Sequence, residues 1–469
     1  MMYREPMASM SATYPTRSSR RFQFAVMLAF AATLIHLLAA VAANAVNSSF
    51  AELNPLLKAP FYLLPGLVLL SMLLRSGIPL PRRLPSPWHV LALYSSAVLL
   101  IGAIVGGIKV AIDSSLLLYY IGDGLKFMSS WLSFLTVAAL AYLLCKEDDS
   151  GKESRRLVRL CLILAVVEAL SIAALAARLD YWQKIHLGSA SAIGFGLLYA
   201  PSGTLVRVLV LLLGLSAAAL SGKRAGLALP LIAATATVLV MMPGTILRAG
   251  MTRSLKKAHL RAFLVVASVI IAGSVSINMF GDRFSSRYDT MYQSLLTFVT
   301  EKFAGVEVTD QSMNSRYAEM DNIRQFYSDH PLQVILGGGF GAETPMYEDT
   351  GVVAVDGRMH HVHAGWWVYL LRNGVIGVLL LLIYFAVTAR IALTGIRYGI
   401  PTSPWLFFLL ICQAAASYKS NTMLDSIEFT IPVLLGATLA ALYRRSLRYA
   451  GNSHHRIPPM SGRSQFEVL

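Results

Sequence analysis

The sequence predicts an all-α polytopic membrane protein with about twelve transmembrane helices and one long periplasmic loop that contains amphipathic helices. The chain of 469 residues is 56% hydrophobic and only 14% charged, a balance typical of membrane-embedded proteins. Its apolar residues fall into long runs, and basic residues cluster between those runs. Basic cytoplasmic loops therefore account for the net charge of +15, and we do not expect nucleic-acid binding.

Eleven apolar runs are predicted to form membrane helices. They are 22–45, 56–74, 88–108, 127–145, 157–177, 205–220, 225–242, 261–280, 365–387, 404–416 and 429–443. No small-residue cleavage site lies near the end of the first run, so we interpret it as a retained span rather than a signal peptide.

The basic residues require one more crossing than these eleven runs supply. Basic clusters tend to stay on the cytoplasmic side of a membrane, yet eleven spans would place the cluster 248–261 outside and the acidic segment 281–362 inside. A crossing at 185–200, which is short and rich in glycine, restores every later loop to its preferred side. The result is twelve spans with both termini inside.

This topology divides the chain into five parts. A cytoplasmic tail, 1–21, precedes nine transmembrane helices within 22–280. The periplasmic loop or subdomain follows at 281–362, then three transmembrane helices within 363–443, and a cytoplasmic tail at 444–469.

The loop 281–362 is too long to be a simple connection. It carries twelve acidic against six basic residues. Segments 285–303 and 315–328 have the pattern of amphipathic helices, and Pro331 ends the second. The glycine-rich stretch 337–341 is expected to form a loop whose backbone can approach a ligand closely, but no Gly-Lys-Ser/Thr follows it, so it is not a nucleotide-binding loop.

Three groups of residues that share the outer face are candidates for chemistry. Ser221, Lys223 and Arg224 lie in a very short turn between two apolar runs, Arg316 begins the second loop helix, and His363 begins the next span. Arginine binds phosphate oxygens through a planar fork of donors, and histidine exchanges a proton near neutral pH. Together they suit an anionic, membrane-embedded ligand such as a lipid pyrophosphate.

Each candidate also has a structural interpretation. Arg224 can be a charge that reaches water from a helix end, Arg316 can lie on a solvated helix face, and His363 can anchor a helix at the interface. The histidines at 360, 361 and 363 lack the spacing of a metal site, and no metal is expected. Asp425 or Glu428 can orient the histidine or a hydroxyl substrate, although solvated loop positions would explain them too.

Three segments together resemble the O-antigen ligase family, whose superfamily also holds the O-antigen and exopolysaccharide polymerases. The turn 220–226 is similar to the family's serine-and-arginine turn before an apolar helix. Arg316, followed by a proline and the glycine-rich stretch 336–341, is similar to its arginine helix. His363, with Gly374 and Gly377 behind it, is similar to its histidine helix, although most members place Asn or Ser where this chain has Ala364.

The resemblance implies a GT-C-like glycosyltransferase in the bacterial inner membrane with a periplasmic active site. Its donor would be an undecaprenyl-pyrophosphate-linked glycan and its acceptor a sugar hydroxyl of lipid A–core, joined with inversion and without metal or cofactor. Arg224 and Arg316 would bind the pyrophosphate, with Ser221 and Lys223 beside them, and offset charge on the leaving group. His363 would position or deprotonate the acceptor.

Two other functions stay open. A polymerase would use the same donor to join repeat units, but such enzymes often carry two large outer loops and this chain has one. A twelve-span transporter predicts charged residues near the middle of the membrane. Lys109 and Glu168 are the only indications of that kind, and an outer loop as long as 281–362 fits a transporter poorly.

Overall fold

The computed structural model is mostly helical and describes about half of the chain. Its described residues are 86–146, 148, 151–178, 187–199, 201–220, 229–230, 232–241, 311–346, 358–359, 362, 365–419 and 430–453. In chain order the helices are α1 (Ser86–Ile112), α2 (Leu117–Lys146), α3 (Lys152–Arg178), α4 (Leu187–Leu198), α5 (Thr204–Leu220), α6 (Ile232–Met241), α7 (Gln311–Asp329), α8 (Gln333–Leu336), α9 (Gly365–Arg397), α10 (Ser403–Lys419) and α11 (Thr430–Ser453). A two-residue strand, β1 (Thr344–Pro345), pairs antiparallel with β2 (Arg358–Met359).

Every apolar run that falls on described residues contains a helix. By length and composition, three helical stretches of the described residues could cross a membrane: Trp88–Ile112, Ser114–Lys146 (α2 with the helical turn before it) and Gly365–Arg397, which is the bent helix α9. The total of twelve spans, the GT-C-like fold and the five-part division stay predictions, because runs such as 22–45, 56–74 and 261–280 lie outside the described residues.

Small residues let the central helices approach closely. Gly436 of α11 lies against Ala138 and Ala141 of α2, and a Cβ atom there would collide with the α2 backbone. Gly194 of α4 makes room for the rings of α10 in the same way. Lipid tails are as apolar as leucine, so membrane helices associate by such close packing rather than by hydrophobic burial alone.

Basic residues gather at one end of the molecule. Arg444 of α11 donates to the carbonyls of Cys145, in the last turn of α2, and of Asp148, after that helix. Arg445 donates to the carbonyl of Tyr398, directly after α9. These contacts place the C-terminal ends of α2 and α9 beside the C-terminal part of α11. Which side of a membrane this end faces stays a prediction.

Helix α4 corresponds to the predicted crossing at 185–200. Its last residues lead to Tyr199, which interacts electrostatically with Arg155 and Arg159 at the start of α3. The chain therefore returns, between the end of α3 and the end of α4, to the end of the molecule at which α3 began. The described helix has 12 residues and is about 18 Å long, too short to span the hydrocarbon core by itself, so a full crossing here stays a prediction.

Helix α9 bends back on itself at Gly374, so the predicted run 365–387 is not one straight helix. Gly374 has φ 63° and ψ −158°, and the rings of Trp366 and Phe385 stack with centroids 5.6 Å apart. In a straight helix the Cα atoms of those two residues would be about 28 Å apart. The first arm, 365–373, therefore packs along the second arm, 375–397. Gly377 allows this contact, because a Cβ atom there would meet Asn373 and the Tyr369 carbonyl of the first arm.

Candidate functional site

The carbonyl end of the first arm is capped by the glycine-rich loop, residues 337–341. The last four carbonyls of any helix lack partners within the helix, and in a membrane each unsatisfied one costs several kcal/mol. Here Gly338 N donates to Leu371 O over 2.8 Å and Gly339 N donates to Arg372 O over 2.9 Å. The Tyr327 hydroxyl of α7 donates to Leu370 O over 2.6 Å. The loop and α7 together allow a helix to end at this buried position.

The glycines allow two backbones to touch. Gly337 has φ 75° and Gly374 has φ 63°, values that residues with a side chain rarely adopt. A Cβ atom on Gly337 would meet the Gly374 backbone, and one on Gly374 would meet the Ile335 carbonyl. The loop and the bend of α9 are thus interlocked at these two positions.

The prediction that this loop presents its backbone to a ligand is wrong. Four successive backbone amides, 338 to 341, all donate to the protein: to Leu371 O, Arg372 O, Gly102 O and the Asp123 carboxylate. No amide of this run is left for a phosphate. Glycine is needed here so that the loop can approach other helices of the chain.

Phe340 anchors the loop in the helical core. Its amide donates to Gly102 O of α1 over 3.0 Å, and its ring lies 5.2 Å from that of Phe127 of α2. Gly102 and Gly106 leave the space for it, since a Cβ atom at either would collide with Phe340. The loop is therefore fixed to α1 and α2 as well as to α9.

An ion pair between a buried arginine and a partly buried aspartate lies directly beside the loop. Arg372 of the first arm is 4% exposed and pairs with the carboxylate of Asp123 of α2. The same carboxylate accepts the Gly341 amide over 2.8 Å, and the Arg372 guanidinium also donates to the Ala342 carbonyl. Two opposite charges thus join α2, the first arm and the end of the loop at Gly341 and Ala342.

Helix α7 joins this assembly through Tyr327. Burial raises the pKa of the Tyr327 phenol above its ordinary value, and the nearby charge of Arg372 opposes that shift. The phenol therefore stays protonated at neutral pH and acts as a hydrogen-bond donor to Leu370 O. This bond ties the helix that carries Arg316 to the arm that begins two residues after His363.

Of the seven predicted site residues, only Arg316 lies in a described element. Arg316 lies in α7, but its side chain is not among the described ones. Six others lie outside the described residues: Ser221, Lys223, Arg224, His363, Asp425 and Glu428. Whether their side chains converge stays a prediction.

The described neighbours of two of these residues are informative. Helix α5 ends at Leu220, immediately before Ser221. Val362, directly before His363, is 2% exposed and belongs to the same hydrophobic cluster as Ile323 of α7 and Leu371 of the first arm. Gly365, two positions after the histidine, is buried as well. The segment on which the histidine lies is therefore flanked by buried residues.

Sequence reasoning missed Asp123 and Arg372. A signal was present for the second, because an arginine inside an apolar run is costly in a membrane and marks a functional position by default. Lys109, which the transporter interpretation invoked, lies in the last turn of α1 and donates to Gln333 Oε1 over 3.3 Å. It lies at the loop end of its helix and not at the middle.

Residues 209–382 match a family model described as O-antigen ligase, which confirms the resemblance seen in the sequence. The matched range contains the turn with Arg224, helix α7, the glycine-rich loop and the first arm of α9. It indicates a membrane-bound enzyme of the ligase or polymerase type that acts on lipid-linked glycans. No curated protein matches the chain.

Proposed function

We propose, from the match of residues 209–382 to the O-antigen ligase family model, that the protein is an O-antigen ligase. It transfers a polysaccharide from undecaprenyl pyrophosphate onto a sugar hydroxyl of lipid A–core, with inversion and without metal. The protein is a multi-pass GT-C-type enzyme of the bacterial inner membrane, and the reaction takes place on its periplasmic side.

The observation that carries this proposal is the extent of the family match. One continuous range contains Arg224, Arg316 and His363 in the order that the ligases have, together with the loop that connects the last two. Arg224 and Arg316 bind the pyrophosphate through paired N–H donors, with Ser221 and Lys223 beside them. Fixed cations of this kind offset the charge that develops on the departing pyrophosphate.

His363 acts on the acceptor. A base close to the attacking hydroxyl removes its proton as the new glycosidic bond forms, and such catalysis contributes about 10²–10⁴-fold. Asp425 or Glu428 orients the histidine or the acceptor hydroxyl. The rigid attachment of the first arm supports this role, because a positioned base must be held by a fixed element.

A polymerase is the second candidate, since its superfamily is shared with the ligases and the match does not separate the two. The lipopolysaccharide of a strain without this protein distinguishes them. A ligase leaves lipid A–core bare while long polysaccharide accumulates on the undecaprenyl carrier. A polymerase leaves a single repeat unit attached to the core, and that pattern would replace our proposal.

Substitution of His363 tests the residue assignment. His363→Ala should abolish ligation in the complemented strain while the protein inserts normally and the lipid-linked donor accumulates. His361→Ala is the matched control and should ligate normally. Ligation by the His363→Ala variant, or loss of ligation in the His361→Ala variant, would show that the assignment of His363 as the base is wrong.

A further inference from the structure

We propose that Asp123 and Arg372 are positioning residues of the transfer reaction. They fix the helix that carries Arg316 and the arm that follows His363 in one relative arrangement. The proposal rests on the proposed function and adds to it two residues that neither bind the donor nor exchange a proton.

The path of the chain shows what the pair holds together. From Arg316 the chain follows α7 to α8, then enters the glycine-rich loop, and the paired strands β1 and β2 precede Val362 and the first arm. The end of that arm returns to the loop, where Gly338 and Gly339 cap it. The glycine-rich loop and the end of the first arm are therefore in direct contact, although 30 or more residues separate them in the chain. The ion pair lies at this contact.

The two side chains make contacts at this point that the backbone cannot make. The Asp123 carboxylate reaches from α2 and contacts both the Gly341 amide and Arg372. The Arg372 guanidinium donates to the Ala342 carbonyl, directly after Gly341 at the end of the loop. Asn373, the next residue, donates to Val98 O of α1 over 3.2 Å. The end of the loop is therefore held against α2 and against the arm, and the arm is held against α1.

Stability is a weak explanation for a charged pair at this position, where the side chains of Arg372 and Asp123 are 5% and 16% exposed. Removing two charges from water costs energy that their attraction often fails to repay, and apolar replacements of similar volume are frequently as stable. What an ion pair adds is a defined geometry. A catalytic group that is displaced by about 1 Å can lose about 10²-fold in rate, so a fixed geometry has its largest effect on turnover.

The first experiment separates geometry from stability. We compare the full-length protein with Asp123→Asn, Arg372→Gln and the double variant. Donor extracted from a strain that lacks the protein, and lipid A–core from the same strain, serve as substrates. Each single variant leaves one buried group without its partner and should lower the thermal midpoint together with kcat. The double variant has no unpaired charge and should unfold near the wild-type midpoint.

The double variant decides the proposal. Its kcat should stay about 10–100-fold below that of the wild type, while KM for the donor changes less than about threefold, because the misplaced groups still bind but react poorly. If the double variant recovered both the wild-type thermal midpoint and the wild-type kcat, the ion pair would have only a structural role, and the proposal would be overturned. Asp321→Asn is the control, since it breaks an exposed ion pair to Arg324 on α7, and its kcat should not change.

A distance measurement makes the result independent of turnover. Spin labels at Ser328→Cys of α7 and Ala386→Cys, both at exposed positions, report how α7 lies relative to α9. Ala386 follows Phe385 of the second arm, whose ring stacks on Trp366 of the first arm. The distance distribution should be narrow in the otherwise unchanged protein and broad or shifted in the double variant. An identical distribution would overturn the proposal. A wild-type protein that transfers nothing overturns the proposed function instead, and the distances then still decide whether the pair sets the geometry.

Discussion

Among the described helices, α4 and the first arm of α9 both end at buried positions, and they are capped in different ways. Helix α4 ends at Leu198, and a single side chain serves its carbonyls: Arg207 of α5 donates through Nε to Gly196 O over 2.9 Å and through Nη2 to Leu197 O over 2.8 Å. The first arm of α9 ends at Asn373, and backbone amides of the glycine-rich loop serve its carbonyls, with the Tyr327 hydroxyl beside them.

The difference shows how each kind of cap is encoded and what it fixes. An arginine reaches its acceptors through a long side chain, and its charge favours the negative end of a helix dipole, so small shifts of the neighbouring helix are tolerated. A backbone cap needs the two main chains in direct contact, which only glycine permits at 337 and 374. It is therefore the more rigid of the two, and it lies where the candidate site needs a fixed arm.

The largest effect is expected at Gly374, where the backbone cap leaves no space for a side chain. Gly374→Ala places a Cβ atom against the Ile335 carbonyl and requires a positive φ of a residue that disfavours it. We expect a loss of more than about 3 kcal/mol, well above the ordinary range for one substitution, and little folded protein in the membrane. Thermal unfolding in detergent, followed by size-exclusion chromatography, measures this. A variant with the wild-type midpoint would contradict the interlocked arrangement of loop and bend.

A smaller loss is expected at the arginine cap. Arg207→Met keeps the length and apolar stem of the side chain but leaves the Gly196 and Leu197 carbonyls without this donor. Leaving a buried acceptor unsatisfied costs about 1–3 kcal/mol, so the thermal midpoint should fall clearly, yet less than in Gly374→Ala. Arg207→Lys should recover part of the loss, because an ammonium reaches one of the two carbonyls. A loss as large as that of Gly374→Ala would show that the side-chain cap is as rigid as the backbone cap.

The contribution of α7 to the backbone cap comes next in size. Tyr327→Phe removes one hydroxyl and leaves Leu370 O, near the end of its helix, without this donor. We expect a loss of about 1–2 kcal/mol in thermal unfolding. Tyr120→Phe is the matched control, since its hydroxyl donates to Ala103 O over 3.2 Å and that carbonyl lies inside a continuous helix. Equal losses in the two variants would show that the capping position is of no importance.

The helices themselves were predictable from the sequence. The apolar runs 88–108 and 205–220 became Ser86–Ile112 and Thr204–Leu220, because burial in lipid or protein requires the same uninterrupted apolar residues that identify a run. Their ends differ by a few residues since helices continue into polar flanks when a neighbour satisfies the last carbonyls.

The bend at Gly374 and the ion pair were not predictable in the same way. An apolar run looks alike whether it is one straight helix or two arms, and a glycine within it also fits close packing against a neighbour. The partners that determine the outcome, Gly337 and Asp123, lie 37 and 249 positions away in the chain. Arg372 was visible as a charge inside an apolar run, but nothing local indicated which carboxylate it meets.

The smallest effect is expected at Gly151. It separates backbone strain from steric collision, the two causes that act together at Gly374. Gly151, before α3, has φ 67° but nothing within 4 Å of the position where a Cβ atom would lie. Gly151→Ala therefore introduces backbone strain without a collision and should cost about 1 kcal/mol, measured by the same thermal unfolding. Gly151→Asn should cost less, because asparagine adopts positive φ more readily than alanine does. If Gly151→Ala were as damaging as Gly374→Ala, backbone strain alone would explain the requirement for glycine. A clear gap between them would assign the larger part of the effect at Gly374 to the contact between the loop and the bend.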